Sequence, residues 1–96
     1  MEKAVEAYLR HRIKEQGGLA LKLVCPGWTG VPDRLILLPG GRVYFAETKD
    51  SGKKPKPRQH YVHNRLRALG FQVFVPDSKP SVDQMLVCMK SEAKRS

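Results

Sequence analysis

Asp33, Glu47 and Lys49 are the three residues whose types and spacing could act together in chemistry. Asp33 opens the apolar run Leu35-Ile36-Leu37-Leu38. Glu47 and Lys49 close a second run, Val43-Tyr44-Phe45-Ala46, and Pro39-Gly40-Gly41 between the runs is a turn signal. Strand side chains alternate with a period of two, so Glu47 and Lys49 project to the same side. If the runs pair as a hairpin, Asp33 comes close to both. Two carboxylates and an ammonium converging at a sheet edge suit a divalent hard cation and a polarised water. Taken singly, each residue has a plainer reading. Asp33 after Pro32 is a common turn residue, Lys49 is a solvated cation at a strand end, and Glu47 pairs with Lys49 or Arg34. Glu47, however, continues the face of Val43 and Phe45, where a carboxylate is costly unless it is paired or binds a cation.

The elements that must position these residues follow from periodicity. Residues 2–16 read as an amphipathic helix with Val5, Tyr8, Leu9 and Ile13 on one face and Gly17-Gly18 as its stop. Residues 19–24 read as a first strand, 25–30 as a loop rich in Pro and Gly, about 34–38 as a second strand and about 42–48 as a third. Residues 50–57 form a basic loop interrupted by prolines. A second helix is predicted over about 58–68, with Tyr61, Val62, Leu66 and Leu69 as its apolar stripe and Gly70 as its stop. Phe71–Val75 reads as a fourth strand ended by Pro76. A last helix over about 81–91 is capped by Ser81 and packs through Val82, Met85, Leu86 and Met89, and the tail 91–96 is expected to fray. The order αβββαβα predicts an α/β, three-layer sandwich with a central mixed sheet flanked by helices. Strands two and three form a hairpin, and the fourth strand, after its helix, lies parallel to its neighbour.

Ninety-six residues allow one domain, 1–96, with a modest core. The formal net charge of +9 points to a polyanionic partner, nucleic acid first, because clustered Lys and Arg gain by displacing phosphate counterions. Lys53, Lys54, Lys56 and Arg58, beside the acidic constellation, read as a phosphate clamp, and Arg34 joins them as a DNA-facing cation. An anionic membrane is the weaker candidate, since no long basic amphipathic helix appears. Cys25 and Cys88 have no metal-ligand spacing, so neither a disulfide framework nor a zinc site is expected. His11, His60 and His63 read as surface or DNA-facing side chains, and Trp28 stays open between core and stacking roles. No apolar leader or run of about 18 apolar residues is present, which predicts a soluble, cytoplasmic protein.

Four segments taken together resemble the PD-(D/E)xK nuclease superfamily, and within it the VRR-NUC branch. They are the acidic helix start Glu2-Lys3-Ala4-Val5-Glu6, Gly30-Val31-Pro32-Asp33-Arg34-Leu35, Glu47-Thr48-Lys49, and Gln59 opening the second helix. The resemblance covers nearly the whole chain. Thr48 departs from it, standing where an apolar residue is often found. A lone acid-x-lysine triplet would mean little; the ordered set is specific.

The resemblance implies a restriction-endonuclease-like core and a Mg²⁺- or Mn²⁺-dependent endodeoxyribonuclease without a nucleotide cofactor. Asp33, Glu47 and an acid of the first helix would hold the metal, with a backbone carbonyl near Thr48 as a further ligand. Lys49 would hold the attacking water or the scissile phosphate, and Gln59 would orient Lys49, water or phosphate. Glu2 projects closer than Glu6 to the stripe of Val5, Leu9 and Ile13 and is the preferred helix acid, with Glu6 as the alternative. Small stand-alone members of the branch imply a phage-type homodimer acting on four-way (Holliday) junctions in a bacterial host's cytoplasm. A flap or damaged-duplex nuclease of the same chemistry is an alternative. A non-catalytic basic nucleic-acid-binding protein would explain the charge but not the alignment of Asp33, Glu47 and Lys49.

Overall fold

The computed structural model describes residues 2–95, with side chains described as far as Ala93. The elements are α1 (Glu2–Glu15), β1 (Leu19–Lys22), β2 (Arg34–Leu38), β3 (Arg42–Ala46), α2 (Pro57–Ala68), β4 (Val73–Phe74) and α3 (Lys79–Arg95), in the expected order αβββαβα. The sheet runs β1-β2-β3-β4. Its first three strands are antiparallel and β4 joins β3 in parallel, as the crossover through α2 requires. Gly40 and Gly41, both at positive φ, make the reversal between β2 and β3. That turn sets the register Leu38↔Arg42 through Arg34↔Ala46.

The pleat divides the sheet into two faces. Arg34, Ile36, Leu38, Tyr44 and Ala46 point to one face, where they meet Val5, Leu9 and Ile13 of α1 and Val82, Met85, Leu86 and Met89 of α3. Burying each such aliphatic side chain contributes about 1.5–3 kcal/mol, so this layer supplies most of the driving force. The opposite face, carrying Leu35, Leu37, Val43 and Phe45, is covered more thinly. α2 lies on it at the β4 side, burying Val62 and His63. Leu19, Leu21 and Val43 stay exposed there.

Several boundaries differ from the sequence expectation. Of the expected stripe of α2, Val62 and Leu66 turn inward whereas Tyr61 and Leu69 are exposed, and Gln59 and His63 complete the inward side at i, i+3, i+4 and i+7. β4 is two residues long, and its ladder with β3 comprises Phe45↔Val73 and Ala46↔Phe74. α3 begins two residues before Ser81. Ser78 caps it, its hydroxyl accepting the Ser81 backbone N–H at 3.2 Å, and Pro80 is tolerated in the first turn, where no intrahelical donor is lost. The helix continues to Arg95 through most of the segment expected to fray; Ser96 lies outside the described residues.

Candidate active site

The chain does not leave the sheet after Ala46. Backbone N–H groups of Phe45, Glu47 and Lys49 donate to the carbonyls of Gln72, Phe74 and Pro76 at 3.0, 2.9 and 3.0 Å. Alternate residues are thus tied to the β4 segment, and Glu47 and Lys49 keep the face of Phe45. The intervening Thr48 turns its donors the other way. There β2 has reached its first residue, and the Asp33 carboxylate stands where a strand carbonyl would continue the ladder. Thr48 N–H donates to Asp33 Oδ1 at 3.3 Å and its hydroxyl donates to Oδ2 at 2.8 Å. Thr48 is fully buried. The departure from an apolar residue is therefore a hydroxyl that fixes Asp33, which acid-x-lysine spacing alone does not reveal.

The register Arg34↔Ala46 puts Asp33 beside Glu47 one step further along the sheet. Burial pushes the Asp33 carboxyl above the usual carboxylate range; the Thr48 hydroxyl opposes this, while the negative charges of Glu47 and Glu6 add to it. Glu47 is 5% exposed, and its Oε1 is buried without a hydrogen-bond partner. Its Oε2 lies 3.6 Å from Lys49 Nζ. Lys49 Nζ in turn donates to Gln59 Oε1 at 2.9 Å, and the same oxygen accepts the Lys56 backbone N–H at 2.9 Å. Gln59 therefore closes the first turn of α2 and holds Lys49 at once. The resemblance implies the second role.

Of the two N-terminal acids, Glu6 is the one whose charge reaches Asp33. Glu2 is exposed at the first helical position, where its backbone N–H meets the Asp50 carboxylate. Helical rotation favoured Glu2, but rotation ignores axial position, and four residues of helix shift a side chain by about 6 Å along the sheet. Glu6 is engaged by Arg34, which also donates to the Ala20 carbonyl at 3.2 Å. Arg34 is 7% exposed and cannot serve as a DNA-facing cation. Its alternation with Ile36 and Leu38 was the signal that it points inward.

The remaining cations of the expected clamp face solvent. Lys53, Lys54 and Lys56 are exposed and make no ion pair among the described residues. Arg58 is exposed over the Tyr61 ring at 5.2 Å and donates to the Thr29 carbonyl at 3.1 Å. That contact brings the Trp28 loop against the start of α2. Gly30 permits it, because at φ +89° an added Cβ would stand 2.8 Å from the Arg58 carbonyl oxygen. Trp28 is partly exposed on that loop and outside the core. His11 and His60 are exposed, but His63 is fully buried, its Nε2 3.9 Å from Glu47 Oε1. Neither His63 nitrogen has a hydrogen-bond partner. Each unpaired buried group costs about 1–3 kcal/mol.

Among the described residues, no three His, Cys, Asp or Glu side chains form a ready metal cage. Two carboxylates do come together, buried Glu47 with a free oxygen and half-buried Asp33, whose ionisation is opposed first by burial and then by the charges of Glu47 and Glu6. That donor set fits Mg²⁺ or Mn²⁺, because such ions are held by one or two carboxylates and complete their shell with water and substrate phosphate.

No family model matches the sequence. The chain is 49% identical over 78 residues, 81% of its length and 84% of the relative's, to "Putative nuclease p44" of Acyrthosiphon pisum secondary endosymbiont phage 1. It also superposes with a TM-score of 0.86 and 41% identity on a solved structure described as a VRR_NUC domain, covering 88% of this chain and 92% of that one.

Proposed function

The chain belongs to the VRR-NUC nuclease family, and we propose that it is a metal-dependent DNA endonuclease acting as a two-fold homodimer on four-way junctions. The observation that carries this reading is the placement of Asp33, Glu47 and Lys49 together at the end of β3, each held by a neighbour. Asp33 and Glu47 would hold Mg²⁺ or Mn²⁺, with Glu6, whose charge reaches Asp33, as a further acid and the Thr48 carbonyl as an additional donor. When bound, the cation lowers the pKa of a coordinated water and offsets charge developing on the phosphate.

The chain's own residues supply position. Thr48 fixes both oxygens of Asp33, so the carboxylate need not reorganise when a cation arrives. Lys49 spends one hydrogen bond on Gln59 and leaves hydrogens for an attacking water or a phosphate oxygen. Lys53, Lys54, Lys56 and Arg58 anchor the flanking phosphates without reading base identity. A single domain spanning 1–96 contains all of these parts.

Junction preference is supported by size and symmetry. The chain is small, with a longest extent of 33 Å, and carries one such site. Symmetric cutting of a two-fold substrate then calls for two copies. The test is cleavage of labelled four-way junction, flap and linear duplex in Mg²⁺, Mn²⁺ and EDTA. Metal-dependent paired nicks in the junction are expected. Equal cutting of linear duplex, or flap cutting in preference, would overturn the junction assignment.

A further inference from the structure

α2 presents two polar side chains to β3, and only one has a use so far. Gln59 and His63 lie one turn apart, separated by about 6 Å of helical rise. Lys49 and Glu47 lie two strand residues apart, about 6.6 Å. The matched spacings bring Gln59 to Lys49 at 2.9 Å and His63 Nε2 to Glu47 Oε1 at 3.9 Å, in antiparallel order. Both atoms of the second pair are buried, and neither has a hydrogen-bond partner. Val62 and Leu66 occupy the rest of this inward face, so an aliphatic side chain at position 63 would serve packing alone.

We infer that His63 is the positioning residue for Glu47, donating from Nε2 to Oε1 so that Oε2 is presented to the divalent cation, a role that rests on the nuclease reading above. The gap to close is about 1 Å, within the reach of a small turn of the Glu47 carboxylate. That turn also moves Oε2, the oxygen now shared with Lys49 at 3.6 Å. Lys49 remains held by Gln59, so Glu47 can change partner without freeing the lysine. His63 is fully buried, so it acts only through Glu47. Partners of this kind behind a metal-binding carboxylate typically alter metal affinity or activity 10–100-fold when removed.

Two substitutions separate this role from packing. His63→Gln keeps an N–H donor at nearly the reach of Nε2. His63→Asn is polar but one methylene shorter and cannot reach Glu47. Mn²⁺ affinity of the DNA-free protein, by titration calorimetry, is measured for both beside wild type and Glu47→Gln, with thermal melting in EDTA as the control for folding. His63→Asn is expected to bind Mn²⁺ about 10–100-fold more weakly, and His63→Gln to remain within about threefold of wild type. The Mn²⁺ concentration for half-maximal junction cleavage should shift in parallel. Wild-type affinity in His63→Asn, or equal losses in both variants, would overturn the His63 role while leaving the nuclease reading standing. Wild-type Mn²⁺ binding that survives Glu47→Gln would overturn the metal reading and the His63 role with it.

Discussion

Asp33 is held in surroundings that disfavour its charge. Burial and the charges of Glu47 and Glu6 raise its carboxyl above the ordinary value of 3.8, against the pull of Thr48. A raised folded-state value means that the folded chain holds the proton more tightly than the unfolded chain. The stability this provides is fully present below the unfolded value and is lost as pH rises through the folded one. At neutral pH in EDTA, ionised Asp33 therefore destabilises the fold. Asp33→Asn removes that charge, and the Thr48 hydroxyl can turn to accept from the amide. The variant is expected to melt above wild type at pH 7 in EDTA, with the gap closing near about pH 3–4. Excess Mn²⁺ should reverse the order, since only wild type gains binding free energy, about 2.7 kcal/mol at 100 times Kd. A lower melting temperature for Asp33→Asn at pH 7 in EDTA would contradict this account of the site.

At the scale of elements, the hairpin was the most legible part. The turn glycines and two apolar runs led to the register that sets Asp33 beside Glu47, and Gln59 of the expected site accepts a hydrogen bond from Lys49. What stayed hidden involved polar residues on inward faces. Arg34 looked like a surface cation, although its alternation with Ile36 and Leu38 points inward. His63 looked exposed because Tyr61 and Leu69 are apolar and drew the stripe of α2 to the wrong side. Glu6 yielded to Glu2 because a helical wheel carries no axial coordinate. The basic loop before α2 supports a separate expectation. Neutralising Lys53, Lys54, Lys56 and Arg58 together should weaken binding to any DNA sequence. The log–log salt dependence should flatten by about 0.9 for each phosphate that is no longer neutralised. An unchanged slope would place the loop away from DNA.

For the whole molecule, the unequal cover of the sheet bears on assembly. One face is sealed by α1 and α3, while Leu19, Leu21 and Val43 remain exposed on the other, beside the half-buried Leu35 and Leu37. A homodimer built through this face would cover those side chains. Leu21→Glu is expected to give a monomer by light scattering, with paired nicking of a cruciform plasmid falling to single nicks. A dimer undisturbed by Leu21→Glu would move the interface elsewhere; wild-type protein of monomer mass would remove the two-fold model.

Cleavage by Glu47→Gln tests the central claim most directly, because this change replaces one oxygen of the site and leaves the basic clamp untouched. Single-turnover cutting of a labelled four-way junction is measured in Mg²⁺ and in EDTA for wild type and variant, with junction binding followed on the same samples. Wild type should cut only with the cation. Glu47→Gln should bind at least as tightly, having lost a charge that repels phosphate, and cut at least about 10²-fold more slowly. Cutting by wild type in EDTA, or by Glu47→Gln at the wild-type rate, would contradict catalysis at the Asp33–Glu47–Lys49 site.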